Sequence, residues 1–316
     1  MRIWFLSLLL TLSLSVSGFV HADSARHVVV VLGEDVPVQR EVATRFEALL
    51  GSAFQSSVTV EVVGIEAAQA RVGQAGVDLV VTVGTSAAQA VRGVSNAGSV
   101  LHVLLARSTY DALYGAEKTS PTSRKVAAIV LDQPWDRQLQ LVKLLVPSAH
   151  QLSAVIGASS QAGGAALALA ATRRGLVLRA VPFSEHDDFG DTLSEALAAT
   201  DVLCALPDSQ VLSPANAKWL LYGAFQKRIP VIGFSRAYVT AGALGAVYST
   251  PEHIAKQAAE WVTQVWRGDG SLVGAVPPKY FSVAVNSSVA HALGLAAPSE
   301  DELTKLLGGR AEADLK

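Results

Sequence analysis

Short, valine-rich apolar runs alternate along this chain with longer segments of helical periodicity. The first runs lie at residues 27–32, 58–63, 78–83, 100–105 and 125–131, with helices predicted at 37–50 and 87–92. Continuous apolar runs of this length are typical of parallel strands buried on both faces, and parallel strands need crossover helices between them. The pattern therefore predicts an α/β fold.

The same alternation restarts after Asp132, Gln133, Pro134 and Trp135, so we predict a second α/β unit of similar size. Its predicted helices are 136–145, 165–174, 189–199 and 214–227, and its predicted strands are 152–156, 176–181, 201–206 and 230–234. A strand at 241–249, a helix at 251–266, a strand at 280–285 and a short helix ending near Leu293 follow. Two doubly wound, Rossmann-like lobes are the expected architecture, with ligands at the carboxyl ends of the strands.

The first residues read as an export signal. Met1 and Arg2 precede an apolar run, and Val20, His21 and Ala22 form a cleavage site before Asp23. The alternative, an uncleaved anchor, is disfavoured because the run is shorter than the roughly 20 residues that span a bilayer. We expect residues 1–22 to be a signal peptide, cleaved after Ala22, and the mature protein to be periplasmic.

Composition narrows the classes of partner. Hydrophobic residues make up 50% of the chain and aromatic residues 6%, and the formal net charge is −2. This balance indicates neither a nucleic-acid surface nor a polybasic membrane patch, and a small molecule or another protein is expected instead. The lone cysteine, Cys204, lies in an apolar run and is expected to be a buried core residue. The motifs of serine hydrolases, nucleotide-binding loops and zinc sites are missing, so we expect no enzyme activity, cofactor or metal.

Several ordered stretches carry a family resemblance. They are the strand, Gly-Thr-Ser turn and helix at 79–90, the segments 143–147, 206–208, 230–235 and 238–244, and the pairs 285–286 and 292–295. Together they resemble the ABC-transporter substrate-binding family that includes tryptophan and tyrosine binders. Amino-acid-binding relatives carry a polar turn such as Asn-Pro after the strand that here ends at Ile156. The glycine-rich residues 157–164 stand in its place, which weakens the expectation of an aromatic amino acid as ligand.

The resemblance implies a type I periplasmic-binding-protein fold that closes two lobes around a ligand. It implies that residues 23–131 and 250–273 form lobe 1 and that 132–249 and 278–297 form lobe 2. Residues 298–316 are charged and interrupted by glycine, so we expect a tail that forms a loose surface helix or frays. The resemblance also implies an inner-membrane ABC permease as the partner, and we expect a monomer that delivers to it a small organic ligand such as an amino acid.

Two strand-to-helix turns are candidate ligand sites. Gly84, Thr85 and Ser86 precede a helix whose first backbone N–H groups favour an anionic group such as a ligand carboxylate. Ser159, Ser160 and Gln161 occupy the equivalent turn of the second lobe. Each turn also fits a simple helix cap or a surface turn.

Four further side chains are candidates for ligand contacts. Asp208 follows a strand and Pro207, and it can meet a ligand amine or bond its own turn. Glu34, beside Asp35 after the first strand, is a similar acid. Trp135 and Tyr238 are candidates for stacking on a flat ligand. The remaining helical tryptophans, Trp219, Trp261 and Trp266, are expected to pack against the core or its rim.

Two other functions stay open at this point. A sensor of the same fold would present its closed form to a membrane receptor such as a histidine kinase. A secreted α/β enzyme would place an unrecognised site among Asp208, His186 and the serines of the two turns.

Overall fold

The computed structural model describes residues 25–94, 98–115 and 125–308, which form two sheets flanked by helices. The predicted signal peptide lies outside these residues. The strands are β1 Arg26–Leu32, β2 Val58–Gly64, β3 Leu79–Val83, β4 Ser99–Leu105, β5 Val126–Val130, β6 Gln151–Ile156, β7 Val177–Pro182, β8 Val202–Cys204, β9 Val231–Gly233, β10 Gly245–Tyr248, β11 Gly274–Val276 and β12 Ser282–Val285.

Helices connect successive strands in both halves of the chain. They are α1 Pro37–Phe54, α2 Ile65–Val72, α3 Thr85–Val91, α4 Arg107–Tyr114, α5 Trp135–Leu145, α6 Gln161–Arg173, α7 Phe189–Ala196, α8 Pro214–Gln226, α9 Arg236–Thr240, α10 Pro251–Trp266, α11 Ser287–Leu293 and α12 Glu300–Leu306. None of the described helices is both long and apolar enough to cross a bilayer.

The first sheet has the strand order β11-β5-β4-β3-β1-β2, and all of its pairings are parallel. Its valine runs are buried on both faces: Val28 and Val30 pack toward α1 and α10, whereas Val29 and Val31 pack toward α2 and α3. Burial on both faces explains why these strands show no polar alternation in the sequence.

The second sheet has the order β12-β10-β9-β8-β6-β7, and only its edge strand β12 is antiparallel to its neighbour. Helix α12 covers that edge: Thr304 accepts a hydrogen bond from the Val283 N–H (3.0 Å), and Glu300 accepts one from the Val285 N–H (3.0 Å). Leu303 of α12 is fully buried. For residues 300–306 the expectation of a loose or frayed helix was therefore wrong, because α12 satisfies the open hydrogen-bonding edge of the sheet. Residues 309–316 of the predicted tail lie outside the described residues.

Three segments cross between the lobes, and each joins the carboxyl edges of the two sheets. Residues 131–134 leave the carboxyl end of β5, residues 249–250 leave that of β10, and residues 277–281 run from the carboxyl end of β11 to β12. Strand β12 begins beside Tyr248, which is also at the carboxyl edge of the second sheet. Because all three crossings connect these edges, the carboxyl ends of the two sheets face each other.

Side-chain hydrogen bonds tie the three crossing segments together. Gln133 donates to the Ser249 hydroxyl (2.8 Å), and Ser249 donates to the Tyr280 carbonyl (2.7 Å). Arg137 donates to the Gln133 side chain (2.6 Å) and to the Pro278 carbonyl (3.2 Å), and its guanidinium lies 3.8 Å from the centre of the Phe281 ring. Burial lowers the pKa of Arg137 to about 10.

The predicted class, α/β with two doubly wound lobes, is confirmed. The pattern missed the short helices α2, α4 and α9 and the three-residue edge strand β11, which are too brief to show a clear periodicity. Trp219 on α8 is 62% exposed, so the expectation that it packs against the core or its rim was wrong. The predicted strand 241–249 is too long, because a turn at Gly242 separates α9 from β10.

A buried histidine at the second crossing leads to a pH prediction. His253 is buried, its Nδ1 accepts a hydrogen bond from the Thr250 N–H (3.3 Å), and Glu252, Lys256 and the Tyr280 ring surround it. Burial lowers its pKa to about 4, and its ordinary value is 6.5. Because the folded state resists protonation, stability is retained above about pH 6.5 and is lost as the pH falls toward 4.

We expect the wild type to lose about 2 kcal/mol more stability between pH 7 and pH 5 than His253→Asn, which keeps an acceptor for Thr250. Urea unfolding at the two pH values measures this difference. His291→Asn, at an exposed histidine, serves as the control and should behave like the wild type. Equal pH dependence in wild type and His253→Asn would contradict the assignment.

Candidate functional site

The Gly84 turn lies at the switch point of the first sheet, between β1 and β3. The Gly33 N–H donates to the Val83 carbonyl (3.0 Å), which places the loop after β1 directly beside the start of α3. No side chain caps α3, and Thr85 is exposed while Ser86 is partly so. The N–H groups at the start of α3 therefore have no side-chain acceptor among the described residues.

Gln39 holds this switch point together, and the sequence analysis missed it. Its Oε1 accepts a hydrogen bond from the Glu34 N–H (2.9 Å), and its Nε2 lies 2.7 Å from the position that a Cβ on Gly84 would occupy. The side chain is buried and shares the stripe of Val42 and Phe46 on α1. A polar residue on that apolar stripe was the signal that could have identified it.

The second sheet has its switch point between β6 and β8, where the Ser159 turn and Asp208 come together. Ser160 is buried, and its hydroxyl accepts from the Gly157 N–H (3.0 Å) and lies 3.3 Å from the Gly157 carbonyl. Ser159 and Gln161 are exposed at the edge of the sheet. At the carboxyl ends of β6 and β8, the structure thus brings together four of the predicted ligand residues: Ser159, Ser160, Gln161 and Asp208.

Asp208 is only 4% exposed, and its two carboxylate oxygens have different surroundings. Oδ1 accepts hydrogen bonds from the Gln210 N–H (2.9 Å) and the Val211 N–H (3.2 Å), so the side chain does bond its own turn. Oδ2 is buried against Gly157 and has no well-oriented donor among the described residues.

The charge of Asp208 is nevertheless stabilised. Burial alone raises the pKa of this carboxyl, but the hydroxyls of Ser160 and Ser159 and the backbone N–H groups outweigh burial and hold the pKa below its ordinary value. A negative charge therefore lies beneath the exposed turn of the second lobe.

Asp132 is a second carboxylate near the carboxyl edges, and the sequence analysis did not propose it. It stands on the first crossing segment and accepts a hydrogen bond from the Arg107 N–H (2.6 Å). Burial raises its pKa, and the bond from Arg107 offsets only part of that effect. Arg107 in turn donates to the Ala275 carbonyl (2.9 Å), so this pair joins β4, β5 and β11 at their carboxyl ends.

The remaining predicted contacts lie in different settings. Glu34 is exposed at the switch point of the first sheet, and the neighbouring Asp35 pairs with Arg40. Trp135 begins α5 and packs against the core of the second lobe. Tyr238 is 8% exposed, and its ring stacks on Phe234 with centroids 5.2 Å apart. Stacking of Tyr238 or Trp135 on a ligand stays a prediction, and both rings already contact the protein.

Residues suited to metal binding are not clustered. Within 25–94, 98–115 and 125–308, no group of three histidine, cysteine, aspartate or glutamate side chains could hold an ion. Cys204 is buried, which raises the pKa of its thiol to about 12.

The comparison with protein-family models identifies a family for this chain. The family model described as ABC transporter substrate binding protein matches residues 54–305. No curated protein matches the sequence significantly.

Solved structures similar to this chain share its fold. A ligand-free, open substrate-binding protein with adhesive properties from Clostridium difficile is 18% identical, with a TM-score of 0.70 and coverage of 87% of this chain and 97% of that one. An ABC domain in complex with L-Trp from Streptococcus pneumonia is 16% identical, with a TM-score of 0.59 and coverage of 91% and 100%. A conserved domain protein from Vibrio cholerae is 18% identical, with a TM-score of 0.59 and coverage of 92% and 99%.

The packing of Asp208 over Gly157 gives a stability prediction. A Cβ on Gly157 would lie 2.6 Å from Asp208 Oδ2 and 2.9 Å from Val211 Cγ2, so Gly157→Ala must displace one of them. We expect a loss of about 1–3 kcal/mol in the free energy of unfolding, measured by urea denaturation.

Gly163→Ala is the matched control for this substitution. Its Cβ would meet only Leu206 Cδ2, at 3.4 Å, and alanine favours the helix, so a change between zero and a gain of about 1 kcal/mol is expected. Adding Asp208→Ala to Gly157→Ala should restore part of the lost stability, because it removes the carboxylate that the new Cβ would meet. If Gly157→Ala is as stable as the wild type, the loop that begins at Gly157 does not pack against Asp208 and Val211 as described.

Proposed function

The chain belongs to the ABC transporter substrate binding protein family, and we propose that it is an exported solute-binding protein that captures a small organic ligand between its lobes and delivers it to an ABC permease. The ligand we propose is an amino acid or a similar zwitterion. The protein would act in the periplasm after removal of residues 1–22.

One observation supports this proposal above the others: the carboxyl edges of the two sheets face each other. Loops that follow parallel strands form the ligand sites of open α/β sheets, and here two such sets of loops border one space. A ligand between the edges would contact both lobes and favour the state in which they are close together.

The buried side chains beside the two turns, Gln39 and Asp208, differ in charge, and we take this difference to favour a zwitterion. In lobe 1, the N–H groups of Thr85 and Ser86 carry no side-chain cap, and we assign the ligand carboxylate to them. In lobe 2, Ser159, Ser160 and Gln161 stand above the ionised Asp208, and we assign the ligand amine to this turn. Glu34, at the rim of lobe 1, is assigned a minor contact.

The mechanism needs binding and lobe movement but no chemical step. Closure removes water from around the few polar groups, which strengthens each hydrogen bond to the ligand. The crossing segments connect to one another mainly through Gln133, Ser249 and Arg137, and they would accommodate the movement.

We expect a panel of amino acids, including L-tryptophan, to contain a ligand that raises the melting temperature of the mature protein. A ligand at a hundred times its Kd adds about 2.7 kcal/mol to the free energy of unfolding, which raises the melting temperature of a chain of this size by roughly 4–5 °C. Thermal-shift measurements on the wild type would identify the ligand, and calorimetry would give its Kd.

Asp208→Asn should weaken that ligand at least tenfold, because asparagine keeps the acceptor for Gln210 and Val211 but removes the charge. Asp187→Asn is the matched control: Asp187 also accepts a backbone hydrogen bond in its own turn (Ser184 N–H, 2.7 Å) but lies in an exposed loop. A panel without any stabilising compound would contradict the proposed ligand class. If Asp208→Asn binds the ligand as tightly as the wild type, Asp208 is not part of the binding site.

A further inference from the structure

Three glutamine side chains of the described chain are buried: Gln39 is 8% exposed, Gln138 6% and Gln257 8%. Two of them use both ends of the amide. Gln138 accepts from the Val247 N–H and donates to the Val247 carbonyl (3.4 Å each). Gln257 accepts from the Lys279 N–H (2.6 Å) and donates to a carbonyl of the third crossing segment (3.1 Å). Buried polar side chains are nearly always paired in this way.

Gln39 uses only one end of its amide. Its Oε1 accepts from the Glu34 N–H (2.9 Å), and because only the oxygen of an amide can accept, the other end is the NH2 group. This Nε2 donates to no residue that the structure describes. A buried donor without an acceptor is costly in free energy, so a partner from outside the described chain is expected at this atom.

The Nε2 atom of Gln39 lies at the carboxyl edge of the first sheet. Helix α1 packs on one face of this sheet and α3 on the other, with Phe46 and Ala87 in separate core clusters. Gln39 stands on α1, yet its Nε2 lies 2.7 Å from the Cβ position of Gly84, directly before α3. The amide therefore crosses the edge of the sheet between β1 and β3, at the switch point where open α/β sheets bind their ligands.

We propose that Gln39 is a ligand-binding residue, and that its Nε2 donates a hydrogen bond to a carboxylate oxygen of the bound solute. The proposal rests on the proposed function and specifies one contact of that site. Nε2 can donate but cannot accept, so an acceptor must lie beside it and the ammonium group of a zwitterion cannot. Gln39 therefore fixes the orientation of the ligand, with its carboxylate toward lobe 1 and its amine toward Asp208.

Two other roles of Gln39 predict different behaviour. If the side chain only shapes the loop after β1, then Oε1 is the atom that matters, and any residue that keeps an acceptor for Glu34 keeps the affinity. If a water molecule is the permanent partner of Nε2, the amide stays bonded to water when the cleft fills. Gln39→Glu separates these roles, because glutamate keeps the shape and the acceptor but replaces the donor with a negatively charged oxygen.

The first measurement is the Kd of the amino acid, among the common ones tested singly, that most raises the melting temperature of the chain from Asp23 onward. At about pH 8, where a glutamate side chain is ionised, Gln39→Glu should raise this Kd at least about tenfold. Gln39 is the third residue of α1, a position that favours glutamate, so the variant should melt like the wild type. Gln89→Glu, at an exposed residue of α3, is the matched control for charge and should change the Kd less than about twofold.

The second measurement uses the wild-type protein, so it decides the question even if a Gln39 variant unfolds. In ¹⁵N-resolved NMR spectra, one Nε2 proton of Gln39 should move downfield as the amino acid saturates the protein, because a carboxylate is a stronger acceptor than water. The side-chain amide of Gln138 is the control. Its signals should stay in place, since that donor is already bonded within lobe 2.

The outcomes distinguish this contact from the proposed function. If an amino acid binds but Gln39→Glu keeps the wild-type Kd, or the Gln39 amide signals do not move on saturation, the contact is overturned and the solute-binding function stands. An equal rise of the Kd in Gln89→Glu would reveal a general effect of charge and would also overturn the contact. If no amino acid binds the wild type, both the proposed ligand class and this contact are overturned.

Discussion

The three crossing segments are the constraint on which the rest of this molecule depends. Each of them joins the carboxyl edge of one sheet to that of the other, and so the loops after both sets of parallel strands border the same space. The segments are bound to one another by side chains, with Ser249 accepting from Gln133 (2.8 Å) and donating to the Tyr280 carbonyl (2.7 Å). A different connection, for example at the amino ends of the strands, would leave the same two sheets without a shared cleft.

Each lobe stabilises its switch point in the same way, with a buried polar side chain lying over a glycine of the neighbouring loop. Gln39 Nε2 lies 2.7 Å from the Cβ position of Gly84, and Asp208 Oδ2 lies 2.6 Å from that of Gly157. The two side chains differ in charge, however, because an amide is neutral whereas the Asp208 carboxylate is ionised. The buried side chain that shapes the loop is therefore neutral in lobe 1 and anionic in lobe 2.

The sequence was sufficient for the fold class and for most strands, because strands buried on both faces leave continuous valine runs that hardly depend on context. The turns at Gly84 and Ser159 could be found for the same reason, since each follows such a run. The bonding of Asp208 to its own turn was foreseen, and the polar Gln39 on an apolar stripe was a visible signal. The contacts of these two side chains with Gly157 and Gly84 could not be predicted, because they depend on how loops distant in sequence meet. The firm attachment of helix α12 could not be predicted, because Glu300 and Thr304 bind an open strand edge that the local sequence does not show.

The hydrophobic cores of the two lobes are separate, so the crossing segments determine how the lobes are connected. The clusters around Phe46 and Val29 lie entirely in the first lobe, and those around Leu139 and Val155 lie entirely in the second. Across the crossings, the side-chain contacts include hydrogen bonds, the stacking of Arg137 on Phe281 and the ring contact between His253 and Tyr280. Hydrogen bonds can be exchanged for bonds to water at a net cost of about 1 kcal/mol each, whereas opening a packed core costs several times more. Among the described residues, the crossings and their polar contacts, rather than a shared hydrophobic core, therefore connect the two lobes beside the space that both sets of loops border.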